Sequence, residues 1–238
     1  MRSRRTRVRS LTAGALLLLA GVQYAVLEYI AASAWHHPSY SYAVGFISDL
    51  GNPVAGDVYD GRVINSPRHL VMDAAFIAQG VLFIVAGVLL LREVDGRLGR
   101  VLRGLVIAHG VGVILIGFFH ESARALHNGV IIVHGVGAAA AIVCGNVIAL
   151  VIGAKGERLG VPRWLRSACS ALGMLGLAAF VLLQVDRPLY HAAGGVPERV
   201  SVYTILLFEA LVGVTLLVRP PRLAPISPVH NSLERHTS

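Results

Sequence analysis

Residues 69–91 read HLVMDAAFIAQGVLFIVAGVLLL. At 1.5 Å per residue this run is long enough to cross roughly 30 Å of hydrocarbon, and its only carboxylate is Asp73. The whole chain has the same character. Of 238 residues, 55% are hydrophobic and only 14% are charged. A soluble domain carries about a quarter charged residues, so there are too few charges here to coat a water-soluble body. A bilayer is the solvent that makes this composition reasonable.

Working outward, five more apolar runs are long enough to span. They lie at about Leu11–Ser33, Val101–Phe119, Asn128–Ile152, Ser167–Gln184 and Val200–Val218. With His69–Leu91 they predict an all-α polytopic membrane bundle of six transmembrane helices over residues 11–218. A basic tail (1–10) precedes it. A polar tail (219–238) with Pro220, Pro221, Pro225 and Pro228 follows and is expected to be disordered. Gly110, Gly112, Gly135 and Gly137 fall inside runs, where glycine allows close backbone approach. Cys144 and Cys169 also lie in runs and read as small buried side chains, not a disulfide framework.

The net charge of +8 is distributed by loop. Arg2, Arg4, Arg5, Arg7 and Arg9 precede the first run. Arg92, Arg97, Arg100 and Arg103 surround the second connection, Lys155, Arg158, Arg163 and Arg166 the fourth, and Arg219 and Arg222 follow the last run. The other connections hold fewer: Arg62 and Arg68, then Arg124, then Arg187 and Arg199. This alternation predicts that both termini are cytoplasmic. It suits contact with membrane lipids and their anionic headgroups, and not a nucleic-acid groove. At the N-terminus, basic residues, an apolar run and Ala32-Ser33-Ala34 resemble a cleavable signal, and Ser3-Arg4-Arg5 hints at a twin-arginine one. The run extends to about 20 residues, and five further spans need it for an even count, so it is expected to stay as the first helix.

Ionisable groups at membrane depth are costly, which makes each a candidate functional residue. The runs and their ends hold Glu28, His69, Asp73, His109, His120, His127, His134, Glu198, Arg199 and Glu209. Most fall near the outer face, so several segments can converge on one outward-facing, His/carboxylate-rich pocket. The first outer connection, about Ala34 to Arg68, adds Ser48, Asp49, Asn52 and Asn65. It is rich in interfacial aromatics (Trp35, Tyr40, Tyr42, Tyr59), which argues for order.

His69 and Asp73, four apart, share a helix face and with His120 or His127 can make a three-ligand zinc site. The alternative is that these histidines hydrogen-bond carbonyls or carboxylates. His127 and His134 are about 10.5 Å apart along a helix, too far for one ion. Ser48 and Asp49 are candidate catalytic residues, a nucleophile and an orienting acid, or else a cap or Asx turn. Glu198 and Arg199 are further candidates, or an interfacial ion pair at a helix start. His109 and Glu209 are expected to pair near mid-depth.

Two stretches carry a resemblance. Phe46-Ile47-Ser48-Asp49-Leu50-Gly51-Asn52 follows the first run and Tyr40 and Tyr42, and Pro197-Glu198-Arg199 opens the last run. With six helices, these marks resemble the bacterial membrane family known as domain of unknown function 998 (DUF998), over about residues 11–218. Between the third and fourth runs this chain has Gly117-Phe118-Phe119-His120 and His127, without the proline that the family often carries there. The resemblance implies a multi-pass protein of a bacterial cytoplasmic membrane and no particular activity. A looser similarity is to membrane hydrolases such as the alkaline ceramidases and progestin-receptor-like proteins. These place a serine, an aspartate and three histidines around zinc; here Ser48, Asp73, His69, His127 and His134 supply the residue types.

Three functions follow as expectations: a membrane protein that binds a ligand in an outer polar pocket; a metal-dependent hydrolase of a lipid-like amide or ester; and a small proton-coupled transporter using His109 and Glu209. No nucleotide-binding glycine loop and no soluble enzyme domain is recognisable.

Overall fold

The computed structural model describes residues 2–218, apart from the side chains of Arg2, Ser3, Arg187 and Pro188. The polar tail 219–238, with Arg219, Arg222 and its prolines, lies outside the described residues. In chain order come α1 (Arg2–Ser33), a 3₁₀ turn (Ser48–Gly51), β1 (Asp57–Tyr59), β2 (Arg62–Ile64), α2 (His69–Leu91) and α3 (Gly96–Phe118). They are followed by α4 (Ala123–Asn128), α5 (Ile131–Lys155), a second 3₁₀ turn (Gly156–Leu159), α6 (Arg163–Val185), α7 (Arg187–Ala193) and α8 (Gly195–Val218). Among the described residues, α1, α2, α3, α5, α6 and α8 are the six helices long and apolar enough to span a membrane.

The helices overrun the apolar runs because backbone hydrogen bonding continues into the interface after hydropathy fades. Arg4, Arg5, Arg7 and Arg9 are helical in α1, and α3 opens at Gly96, so Arg97, Arg100 and Arg103 lie on its first turns. Arg103 is more than a topology marker. Its Nη1 donates to Leu91 O and Val94 O, both at 2.9 Å, and satisfies carbonyls at the end of α2.

The spans form a closed ring. Each packs on its neighbours in sequence, α1 on α2, α2 on α3, α3 on α5, α5 on α6 and α6 on α8, and α8 closes back onto α1. Six crossings leave the start of α1 and the end of α8 on one face. Glycine sets the spacing where the ring closes: a Cβ on Gly14 would sit 2.9 Å from Gly213 O. Gly112 and Gly137 oppose each other in the same way across α3 and α5, whereas Gly135 faces open space.

The long connection between α1 and α2 is ordered, as its aromatics predicted. It carries an antiparallel hairpin pairing Asp57 with Ile64, Val58 with Val63 and Tyr59 with Arg62. Asp60 and Gly61 at its tip have φ of 48° and 78°, the two positive values that a type I′ turn requires. Two apolar clusters fill the ring. One lies toward the termini and includes Ala13, Leu17, Phe83, Ala86, Leu102, Val106 and Phe208. The other lies beneath the hairpin and includes Tyr24, Ile47, Leu50, Ile64, Met72 and Phe76.

Candidate functional site

The hairpin and the 3₁₀ turn cap the ring at the end away from the termini, and buried charges gather under them. Asp49, 1% exposed, accepts Arg62 Nε at 2.9 Å, Arg62 Nη2 at 3.0 Å and the Phe46 N–H at 2.8 Å. The Arg62 guanidinium also lies over the Phe46 ring, 4.2 Å from its centre, and reaches Glu121 Oε1 at 3.4 Å. Ser48 Oγ donates to Glu121 Oε1 at 2.7 Å, and Asn52 donates to Glu121 O at 2.8 Å. His134 Nδ1 bonds Phe119 O at 2.7 Å while its Nε2 stands 3.8 Å from Glu121 Oε2. Burial works against the Arg62 charge, but the bonds and charge of Asp49 outweigh it and raise its pKa. Burial, then the charge of Asp49, pushes the Glu121 pKa well up, against the opposing pull of Arg62 and Ser48.

A second group ties α8 to α1. Arg199 Nε donates to Glu28 Oε1 at 3.2 Å. Its Nη1 reaches Tyr42 O at 2.8 Å, Gly45 O at 2.7 Å and Gly195 O at 3.2 Å, and its Nη2 bonds the Tyr40 hydroxyl. Tyr203 Oη completes the group on both Glu28 oxygens at 3.0 Å. The ion pair expected between Glu198 and Arg199 is replaced by this one, because neighbouring helical side chains diverge. Glu198 instead accepts the Ile47 N–H at 2.6 Å. Ser48 and Asp49 diverge as well, one to Glu121 and the other to Arg62, and neither side chain caps the 3₁₀ turn.

Of the metal set, the structure brings together Asp73 and His120, whose Oδ1 and Nε2 are 3.1 Å apart, out of line for a hydrogen bond. His69 turns Nδ1 to Ser66 O at 3.3 Å, and His127 is exposed on α4. Among the described residues no three His, Cys, Asp or Glu side chains converge on one ion position. The His109–Glu209 pair is also not formed. Glu209, fully buried, takes Gln79 Nε2 on both oxygens at 2.7 and 2.9 Å. His109 Nδ1 bonds Ala141 O at 2.7 Å, and its ring packs on Phe83 with centres 4.4 Å apart.

A cavity of about 570 Å³ runs from the capping loop down to mid-depth. Ser48, Tyr59, Asp60, Glu121, His134 and Glu198 line its upper part, and Gln79 and His109 lie near its floor. Apolar walls come from α5, α6 and α8, including Ala138, Ile142, Phe180, Leu183 and Ile205. The exposed members of the lining, Asp60, Leu126, Gly135 and Gln184, mark its mouth beside the loop-side ends of α5 and α6. Below the floor, the apolar cluster around Phe83 and Phe208 closes the bundle toward the termini.

With this geometry in view, the family described as "Protein of unknown function (DUF998)" matches residues 13–215. The chain belongs to the DUF998 family. No curated protein and no solved structure matches it. The DUF998 match covers all six spans and the capping loop together, so cavity and bundle fall within one family unit. In this DUF998 chain, Arg62, Glu121 and Gln79 escaped a search for charges at membrane depth. Arg62 and Glu121 sit in connections, and Gln79 does not ionise. The adjacency of Glu121 to His120, between two spans, is the one local signal that could have pointed to it.

Proposed function

We propose that this DUF998 chain binds a small amphipathic molecule in its membrane-embedded cavity, with the termini cytoplasmic and the mouth facing outward in a bacterial cytoplasmic membrane. The carrying observation is the cavity itself: about 570 Å³, polar beneath the capping loop, apolar along α5, α6 and α8, and blind toward the termini. That is the size and lining of a small-molecule site. The orientation rests on the arginines clustered at the terminal face. Transport requires a continuous polar path, and the apolar cluster below Gln79 and His109 interrupts it. Native mass spectrometry of protein extracted in mild detergent tests the proposal. Wild type is expected to retain a small amphipath that Ala138→Trp, which fills the cavity, releases. Retention unchanged in Ala138→Trp contradicts it.

One observation favours a second reading, hydrolysis of a lipid-like ester or amide. Ser48 Oγ already donates to Glu121 Oε1 inside the cavity. With Glu121 ionised, Ser48 would attack the carbonyl carbon as its proton passes to Glu121, which would hand it to the departing alcohol or amine; water, losing a proton to Glu121, would then cleave the acyl-serine and free the acid. Covalent labelling of wild type but not Ser48→Ala by a fluorophosphonate probe is the expected result. Equal labelling of both removes this reading.

A further inference from the structure

We propose that the cavity selects ligands that carry a protonated amine. This rests on reading the cavity as an amphipath site and specifies the polar end of its ligand. Three independent features of the lining point the same way.

The first is charge. Asp60, Glu121 and Glu198 line the cavity, and among the described residues no lysine or arginine does. The two guanidiniums nearby are already engaged, Arg62 on Asp49, Glu121 and, at 4.0 Å, Asp60, and Arg199 on Glu28 and three backbone carbonyls, so two cations face the five carboxylates Glu28, Asp49, Asp60, Glu121 and Glu198. Glu198 is 9% exposed and, among the described residues, forms no direct ion pair; its bond is to the Ile47 N–H, and the Arg199 charge that acts on it is shared with Glu28. A carboxylate at membrane depth with only a shared counter-ion is costly. An ammonium on the ligand supplies a counter-ion of its own.

The second is a pair of unanswered acceptors deeper in. Ala141 O can only accept, so His109 Nδ1 carries the proton of its 2.7 Å bond and Nε2 is a bare lone pair. Gln79 gives Nε2 to both oxygens of Glu209, which fixes the amide and leaves Oε1 as the other free atom. His109 and Gln79 are each 2% exposed, both line the cavity, and neither His109 Nε2 nor Gln79 Oε1 has a partner. Both require N–H or O–H donors. Behind Gln79 stands Glu209, a second buried carboxylate whose bonded partner is an amide and not a cation.

The third is aromatic surface. Tyr24, Phe76 and Phe180 are among the lining residues, and aromatic rings attract cations. An alcohol satisfies the acceptors but not the carboxylates, and a carboxylate or phosphate meets like charge. A protonated amine satisfies all three features.

The test uses the full chain in detergent with octylamine, octanol and octanoate, reading the concentration of each that half-saturates thermal stabilisation. Octylamine is expected to act at about tenfold lower concentration than octanol, with octanoate inactive. Glu198→Gln, which keeps an acceptor for Ile47, is expected to erase that preference and leave octanol unchanged. Asp60→Asn, on the exposed hairpin tip, is a second variant that spares the fold and should weaken octylamine about threefold. Ala138→Trp should abolish all stabilisation. Equal action of octylamine and octanol, both lost in Ala138→Trp, overturns the amine inference and leaves the cavity site standing. Octylamine acting unchanged on Ala138→Trp places amines elsewhere and overturns the inference. Stabilisation by none of the three overturns the cavity reading and the inference with it.

Discussion

Divided at mid-depth, the ring has two halves built by the same six helices in opposite styles. Toward the termini, Ala13, Leu17, Phe83, Ala86, Leu102 and Phe208 close it with apolar side chains. Toward the capping loop, Glu28, Asp49, Glu121, Glu198 and Arg199 are buried and Arg62 is half-buried beside an open cavity. Close glycine contacts occur in both halves, Gly14 on Gly213 toward the termini and Gly112 on Gly137 toward the loop, so backbone spacing is not what distinguishes them. Buried ion pairs roughly break even against well-packed apolar residues, so the charged half is not explained by stability. Its charges hold the loop onto the helices and leave acceptors facing a cavity, as the proposed binding site requires.

The contrast can be broken by mutation, beginning with the largest expected effect. Arg199→Met strands Glu28 and cuts three backbone ties, and should cost about 3–5 kcal/mol in thermal or denaturant unfolding of the purified protein. Matched tryptophans compare the halves directly. Ala86→Trp, at a fully buried site in the apolar cluster, should cost about 1–3 kcal/mol by overpacking. Ala138→Trp, which grows into the cavity, should leave stability within about 0.5 kcal/mol. Equal losses at the two sites would erase the distinction.

A third prediction concerns pH. The raised Glu121 pKa means the folded protein holds that proton more tightly than the unfolded chain does. Its contribution is fully present below the ordinary value of 4.5 and is lost as pH rises from there through the folded pKa. Melting curves across this range should fall for wild type and flatten for Glu121→Gln. Parallel curves would mean that Glu121 carries no such proton. The smallest effect is expected at the Asp73–His120 contact, whose facing atoms are buried but out of line for a hydrogen bond. Asp73→Asn, which keeps the shape, should shift unfolding by less than about 1 kcal/mol, and a larger loss would make that pair part of the supporting network.

The six spans were legible because hydrocarbon thickness and the deficit of charge act on composition alone. Glu28, Glu198, Arg199, His109 and Glu209 stood out for the same reason, since each conflicts with an apolar surrounding, and Ser48 and Asp49 stood out as adjacent polar residues in an aromatic-rich loop. Their pairing was not legible. Arg199 meets Glu28, 171 residues away, and passes over its neighbour Glu198. Glu209 meets an amide where His109 was expected. Such choices depend on helix rotation within the ring, which hydropathy does not encode. The anticipated zinc group fails on the same ground: His69 and Asp73 share a helix, but His69 turns to Ser66 O while Asp73 turns to His120.

The central claim is a cavity open at the loop side and shut toward the termini. Single cysteines at position 138 and position 86, in a background lacking Cys144 and Cys169, test it most directly. Each is exposed in oriented proteoliposomes to a membrane-impermeant thiol reagent. Ala138→Cys should react from the face opposite the termini and from that face alone, and Ala86→Cys from neither. Labelling of Ala86→Cys, or of Ala138→Cys from the terminal face, would contradict the account.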